Sequence, residues 1–253
     1  MSLWRVYSGV RAVRVGLEGA FAGATAFLVG GSPRLLELDL RLLNIHGCWS
    51  MAINNAAVVF EPQAFICLDT VDCFNRNIFT NLRIQKFINY ARYNELVEGK
   101  ALCKYPNTFF FDMIKEDDVL MTEFCKLDGP IPFLRSTFLA AIALLYQLGF
   151  MRVYLIGCTF DVSKGAYAHE YDIGDDDKAS NQIVYDSTVD HLRILVPRLA
   201  EEGMEIITCH EMTSLDGVCA YRSFNDAVSS CAIESSSGGF DKIRHVKKVL
   251  RRD

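Results

Sequence analysis

No two cysteines in this chain are spaced Cys-x-x-Cys, although nine are present: Cys48, Cys67, Cys73, Cys103, Cys125, Cys158, Cys209, Cys219 and Cys231. The spacing that builds zinc ribbons and redox dithiols is therefore missing. The one adjacent Cys/His couple, Cys209-His210, would point to opposite faces of a strand. No metal site is expected. Several thiols lie in apolar runs such as Phe65-Ile66-Cys67-Leu68 and Ile156-Gly157-Cys158, which read as buried, reduced cysteines of a cytoplasmic protein. Long apolar runs are lacking too, since the most apolar stretch, residues 138–146, is far too short to span a bilayer. Arg5, Arg11 and Arg14 precede an apolar segment at residues 20–29, but Glu18 interrupts it and no small-x-small cleavage context follows. No targeting signal and no transmembrane segment are expected.

Charge is scarce and unevenly placed. Charged residues make up 23% of the chain and the formal net charge is −5, while Lys242, Arg244, Lys247, Lys248, Arg251 and Arg252 crowd the C-terminus. The remainder is thus acidic, and its overall field does not attract a nucleic-acid backbone. The stretch Ser235-Ser236-Ser237-Gly238-Gly239 reads as a flexible linker between a body at residues 1–234 and this basic tail at residues 240–253. Ile243, Val246 and Leu250 recur there at near-helical spacing. Such a segment either docks on its own domain or a partner, or meets an anionic surface.

The body is 51% apolar over the whole chain's composition, enough for a substantial core without staples. Short β-type runs at residues 25–29, 50–53, 64–68, 101–104, 153–156 and 205–209 alternate with helical patterns at residues 34–43, 78–97, 136–148 and 181–202. This alternation predicts a single α/β domain of Rossmann-like type, a mostly parallel sheet flanked by helices. Gly149 and Gly203 stand where C-cap glycines belong.

In such sheets ligands bind beyond the carboxyl ends of the strands, so the following loops carry the candidates. Gly30-Gly31-Ser32-Pro33-Arg34 follows the first strand. Its glycines permit close approach, Ser32 suits an N-cap and Pro33 a first helical turn, an arrangement that can point amides at an anion or serve as a plain turn. Asn54 and Asn55 follow the second strand, and Asp69, Thr70 and Asp72 the third; they read as ligand contacts or as caps and turns. Arg135-Ser136-Thr137 opens the very apolar helix before Gly149, a second place for an anion. After Gly157 come Thr159-Phe160-Asp161, the run 164–172 containing Tyr167 and His169, and Asp175-Asp176-Asp177. So polar and aromatic a loop reads as a lid over a site, with His169 a candidate base and Tyr167 a donor to a phosphate, or as a solvated connector. His191 reads as a helix-face residue. His210-Glu211 and Thr213-Ser214 follow the last strand and are candidate contacts for a base or ribose.

In this order the loops resemble a superfamily that includes bacterial lipooligosaccharide sialyltransferases, archaeal 6-hydroxymethylpterin pyrophosphokinase-like proteins and phage proteins of similar pattern. Four segments carry the resemblance: Phe27-Leu28-Val29-Gly30-Gly31-Ser32-Pro33-Arg34-Leu35, Ala52-Ile53-Asn54-Asn55, the helix from Ser136 to Gly149 running into Tyr154-Leu155-Ile156-Gly157-Cys158-Thr159-Phe160, and Tyr167-Ala168-His169. The resemblance implies that Gly30, Gly31, Ser32 and Pro33 hold nucleotide phosphates, that Asn54 and Asn55 face donor or acceptor, and that Ser136 and Thr137 bind the donor. It implies that Tyr167 stabilises the departing phosphate. The chain departs from the family turn, Gly-x-Gly-Pro-Ser, at Ser32 and Arg34, and carries Thr159 where an aspartate is usual. The sialyltransferases' base histidine would fall near residues 185–190, where none stands; His169 is the substitute and His191 the reserve.

The resulting expectation is a glycosyltransferase that moves a sugar from a nucleotide-activated donor to a hydroxyl by direct displacement. His169, Tyr167 and Arg135 are its catalytic candidates, and Gly30, Gly31, Ser32, Pro33, Asn54, Asn55, Asp69, Ser136, Thr137 and Thr159 its donor-binding ones. It would need no cofactor beyond the nucleotide sugar. A hydroxymethylated DNA base is a candidate acceptor through the resemblance to phage proteins, and a homo-oligomer is possible. Two alternatives stand beside it: an ATP-dependent pyrophosphokinase of a pterin-like alcohol, with Mg²⁺ on Asp69, Asp72 or Asp161, and a non-enzymatic nucleotide-binding module.

Overall fold

Strand β3 (Thr25–Val29) is buried along its whole length because both of its faces are covered. Ala26 and Leu28 enter one hydrophobic layer, Phe27 and Val29 the other. The same alternation runs through β4 (Trp49–Ile53) and β5 (Ala64–Cys67), with Met51 and Ile66 on the first face and Ala52 and Phe65 on the second. Burial on both faces is what a near-continuous apolar strand requires, and it fixes these strands as the centre of a parallel sheet. The computed structural model describes residues 4–8, 11–15, 17–45, 48–114, 124, 130–162, 168 and 175–234.

Beyond β5 the sheet continues through β6 (Gln85–Asn89) and β9 (Thr108–Phe111) to an N-terminal hairpin, β1 (Trp4–Ser8) and β2 (Arg11–Val15). On the other side of β3 lie β12 (Arg152–Ile156), β13 (Glu205–Thr208) and β14 (Ala220–Tyr221). The order is β14-β13-β12-β3-β4-β5-β6-β9-β1-β2; the first eight strands run parallel, and the hairpin closes the far edge antiparallel. Two small sheets lie outside this one, β7 (Leu96–Val97) with β8 (Lys100–Ala101) and β10 (Met113–Ile114) with β11 (Ile131–Pro132). The fold is thus the expected α/β Rossmann-like domain.

On the second face lie two short helices, α1 (Arg41–Ile45) and α2 (Arg76–Thr80). On the first face lie α3 (Thr137–Leu148) and α4 (Asp175–Glu201); α5 (Phe224–Glu234) returns to the second. Helix α3 is buried on all sides from Phe138 to Leu148, so its Leu- and Ala-rich sequence has no polar face. Ser136 caps its start by accepting from the Leu139 amide, and Gly149, at φ 90°, ends it in the left-handed conformation. Among the described residues no helix is long and apolar enough to cross a membrane.

The structure corrects four expectations about elements. Residues 34–43 form a 3₁₀ turn, Pro33–Glu37, and the short α1 rather than one helix. Residues 78–97 hold the end of α2, strand β6 and a further 3₁₀ turn; Ile84, Phe87 and Ile88 mimic a helical stripe, but Phe87 and Ile88 belong to a strand buried on both faces and Ile84 to the bend before it. Residues 101–104 are largely a 3₁₀ turn, and the sheet takes Thr108-Phe109-Phe110-Phe111 instead. Helix α4 begins at Asp175, so Asp175 to Asp177 form its first turn rather than a loop. The expected linker at 235–239 and tail at 240–253 lie outside the described residues.

Within β6, Lys86 is fully buried, and its ammonium donates to the Pro106 carbonyl at 3.1 Å. Thr108, its register partner on β9, has a buried hydroxyl with no described partner. Burial lowers the Lys86 pKa to about 8. The unfolded chain therefore holds more protons than the folded one between pH 8 and the ordinary value of 10.5, and stability rises with pH across that window. Below it the buried charge costs roughly 3 kcal/mol relative to the neutral amine. Lys86→Met is expected to raise the urea midpoint at pH 7 and to abolish the alkaline rise, as urea titrations at pH 7, 8.5 and 10 will show.

A tight backbone contact joins the ends of two central strands. Ile156 pairs with Val29, so the next residues, Gly157 and Gly30, cross as their chains part for opposite faces. A Cβ on Gly30 would stand 2.4 Å from the Gly157 oxygen, and one on Gly157, at φ 62°, 2.6 Å from the Gly30 oxygen. Neither oxygen is free to move, because both belong to backbone at strand ends. Gly30→Ala is expected to cost about 3 kcal/mol in chemical denaturation. Gly217→Ala, where φ is 75° but the space around the Cβ is open, should cost only about 1 kcal/mol.

Candidate functional site

The chain moves outward from β3 through β4, β5, β6 and β9 in one direction, then returns to place β12 on the other side of β3. The loops after β3 and β12 diverge to opposite faces and leave a crevice at this reversal, the position where open parallel sheets bind ligands. A cavity of about 340 Å³ occupies it. Its walls come from five places: Gly30, Gly31 and Ser32 after β3; Ile53 to Ala56 after β4; Asp69 after β5; Arg135 to Phe138 at the start of α3; and Gly157 to Asp161 after β12. Helix α4 closes it with Asn181, Val184, Tyr185 and Thr188.

Ten of the sequence candidates therefore meet around one space: Gly30, Gly31, Ser32, Asn54, Asn55, Asp69, Arg135, Ser136, Thr137 and Thr159. Pro33 does not line it; it sits at the head of the 3₁₀ turn behind Ser32. Tyr167 and His169 lie outside the described residues. Ala168, between them in sequence, is buried and donates its amide to the Gly31 carbonyl at 2.6 Å. His191 is not among the lining residues; its Nδ1 bonds the Ser187 carbonyl one helical turn back at 2.6 Å. Thr213 and Ser214 also stand outside the cavity, where Ser214 donates to the Phe160 carbonyl at 3.2 Å and braces the loop from behind.

Hydrogen bonding separates the polar groups that build the site from those left for a ligand. The Ser32 amide donates to the Gly157 oxygen at 2.9 Å, and Ser32 Oγ accepts from the Thr159 hydroxyl at 2.8 Å and from the Arg34 amide at 3.4 Å. The expectation that both glycine-turn amides face an anion is corrected: the Ser32 amide is consumed, and only that of Gly31 has no partner among the described residues. Asn55 is likewise committed, donating to the Cys73 carbonyl at 3.1 Å and accepting from the Asn75 amide at 3.3 Å. Asn54 is not, for its Oδ1 is buried without a described partner. Arg34 faces away, donating to the Glu211 carbonyl at 2.5 Å and pairing with Glu37 at 3.3 Å.

The start of α3 is the stronger anion locus. Ser136 caps the Leu139 amide, and the Thr137 and Phe138 amides at the positive end of a twelve-residue helix, beside the exposed Arg135, have no partner among the described residues. Backbone strain gathers here as well: Asn54, Arg135 and Phe160 have φ of 52°, 53° and 53°. Each lines the cavity, as residues held in sparsely populated conformations commonly do at binding sites. Phe160 is fixed by edge contacts with Phe138 and Tyr185 at 4.9 and 5.6 Å, and its carbonyl accepts from Gln182 at 3.3 Å.

Sequence reasoning missed the α4 wall. Asn181, Tyr185 and Thr188 recur at helical spacing, but on a helix with little amphipathic contrast this polar stripe resembled solvated surface. Among the described residues no group of three His, Cys, Asp or Glu side chains is gathered to hold a metal. No protein-family model, no curated protein and no solved structure matches the chain.

A buried oxygen without a partner costs about 1–3 kcal/mol. Asn54→Gly, which suits the positive φ, is therefore expected to leave the denaturation midpoint unchanged or raise it. Asn54→Val, strained at that φ, should lower stability by about 2 kcal/mol. Urea denaturation of both variants checks the pair.

Proposed function

We propose that the cavity binds a nucleotide-activated sugar and that the protein is a glycosyltransferase acting by direct displacement. The observation that carries this reading is the meeting, at the reversal of the sheet, of a helix N-terminus with Arg135 and with the Gly31 amide and Asn54 oxygen, which have no partner among the described residues. Such a set suits a ligand with an anionic phosphate at one end and hydrogen-bond donors of a sugar or nucleoside at the other.

In the displacement, the acceptor hydroxyl loses its proton to a base while its oxygen bonds the sugar's anomeric carbon. The bond from that carbon to the phosphate oxygen breaks, and its electron pair stays on the phosphate. Arg135 and the Thr137 and Phe138 amides meet that developing charge from a fixed position, which is worth more in a partly enclosed cavity than in water. His169 is the proposed base, and the buried anchor of neighbouring Ala168 on the Gly31 carbonyl supports that role. A second reading, pyrophosphate transfer from ATP, is favoured by one observation: Asp69 and Asp161 both line the cavity, where carboxylates would carry Mg²⁺. Asp72 does not line it.

A thermal-shift panel of CMP-, CDP-, UDP- and GDP-sugars and ATP, each with and without Mg²⁺, separates the two readings. Stabilisation by a sugar nucleotide without the metal supports glycosyl transfer; a shift seen only with ATP and Mg²⁺ replaces it with the pyrophosphokinase reading. Arg135→Ala should weaken nucleotide binding about tenfold or more. His169→Ala should keep binding and lose at least a hundredfold in turnover; unchanged turnover would remove His169 from the mechanism.

A further inference from the structure

We infer that His210 is a positioning residue of this site: by accepting the Gly157 amide it fixes the glycine crossing on which the cavity's shape depends. His210 follows β13 and is only 3% exposed. Its Nε2 accepts from the Gly157 amide at 2.8 Å, so that nitrogen carries no proton and the neutral ring holds its proton on Nδ1. Its own amide is held in turn by the Thr208 hydroxyl oxygen at 3.2 Å.

The consequence passes through three contacts. Gly157, set at φ 62° by this bond, lies against the Gly30 carbonyl and accepts from the Ser32 amide. Ser32 then accepts from the Thr159 hydroxyl. Gly30, Ser32, Gly157 and Thr159 all line the cavity, whereas His210 does not. Its role is therefore to hold backbone, not to exchange protons with a ligand. An apolar residue in its place would leave the Gly157 amide buried without an acceptor.

Burial keeps the ring neutral. Burial is the largest influence, the Arg34 guanidinium on the 3₁₀ turn acts in the same direction, and Glu37 on that turn opposes them; together they push the pKa down to about 4. Cys158 on the β12 side and Cys209 beside it are themselves buried thiols, held neutral by desolvation. Because the unfolded ring protonates near 6.5, the neutral-ring contribution to stability is complete above that pH and is lost as pH falls towards 4.

The test uses the full chain labelled uniformly with ¹⁵N. Long-range ¹⁵N–¹H spectra should show His210 as the Nδ1-protonated neutral tautomer down to about pH 5, with the Gly157 amide protected from exchange. A ring titrating near 6.5, or protonated at Nε2, overturns the inference without any variant being made. In His210→Leu the amides of Gly30, Ser32 and Gly157 should exchange at least tenfold faster while those of α3 are unchanged. His210→Gln, whose carboxamide oxygen can accept in the same place, should restore most of that protection. Equal protection in the Leu variant and the parent overturns the proposal.

As a role in binding, the inference rests on the proposed nucleotide site. Affinity for CMP, UDP and ATP should fall at least tenfold in His210→Leu and recover to within about threefold in His210→Gln. If none of these probes binds the parent chain, the functional reading fails, while the tautomer and exchange measurements still decide the role of His210.

Discussion

The molecule is organised around the crossing of two backbones, at Gly30 and Gly157. Each glycine occupies space into which the other's carbonyl points, at distances no Cβ tolerates. That contact lets β3 and β12 stay paired up to their last residues and then send their chains to opposite faces. A sheet whose order reverses at this point must open a crevice between the departing loops. The cavity is that crevice, walled by whatever the sequence places after each strand.

Most of the polar groups gathered there are spent on holding the loops. Ser32 bonds Gly157, Thr159 and Arg34; Asn55 ties the Cys73–Asn75 turn; Ser136 caps α3; Arg34 reaches away to Glu211. This use of side chains follows from the need to satisfy backbone groups in loops that are packed rather than exposed. Among the described residues the polar groups left without a partner include the Gly31 amide, the Thr137 and Phe138 amides beside Arg135, and the Asn54 oxygen, with the Asp69 carboxylate on the same cavity wall. Anion-binding capacity has thereby moved from the glycine turn to the start of α3.

The two layers of core explain why so wide a sheet remains regular. Phe65 meets Phe74 and Phe79 edge-on at 5.9 and 5.7 Å on the second face, while Phe21, Trp49 and Phe150 cluster on the first. Each such ring removes enough apolar surface from water to stabilise the fold by about 1.5–3 kcal/mol. Against that background the sheet accommodates one buried ammonium, Lys86, at a net cost.

The α/β alternation, the strand ending at Val29, the capped and glycine-terminated helix at Ser136 to Gly149 and the polar loops at the carboxyl ends were all legible in the sequence. Each is a local signal: period, cap and turn residue act within a few positions. What the sequence left ambiguous was decided by burial. Residues 84–89 carry a helical-looking stripe, but Gln85–Asn89 become a strand because both faces are covered, and Lys86, a polar position by pattern, is enclosed with them. Only the tertiary structure could distinguish Asn54 from Asn55, or show that the Ser32 amide is taken while that of Gly31 has no partner among the described residues, because partners for these groups come from segments distant in the chain. The same holds for His210: its place after a strand was visible, but its acceptor role required Gly157 to arrive from 53 residues away.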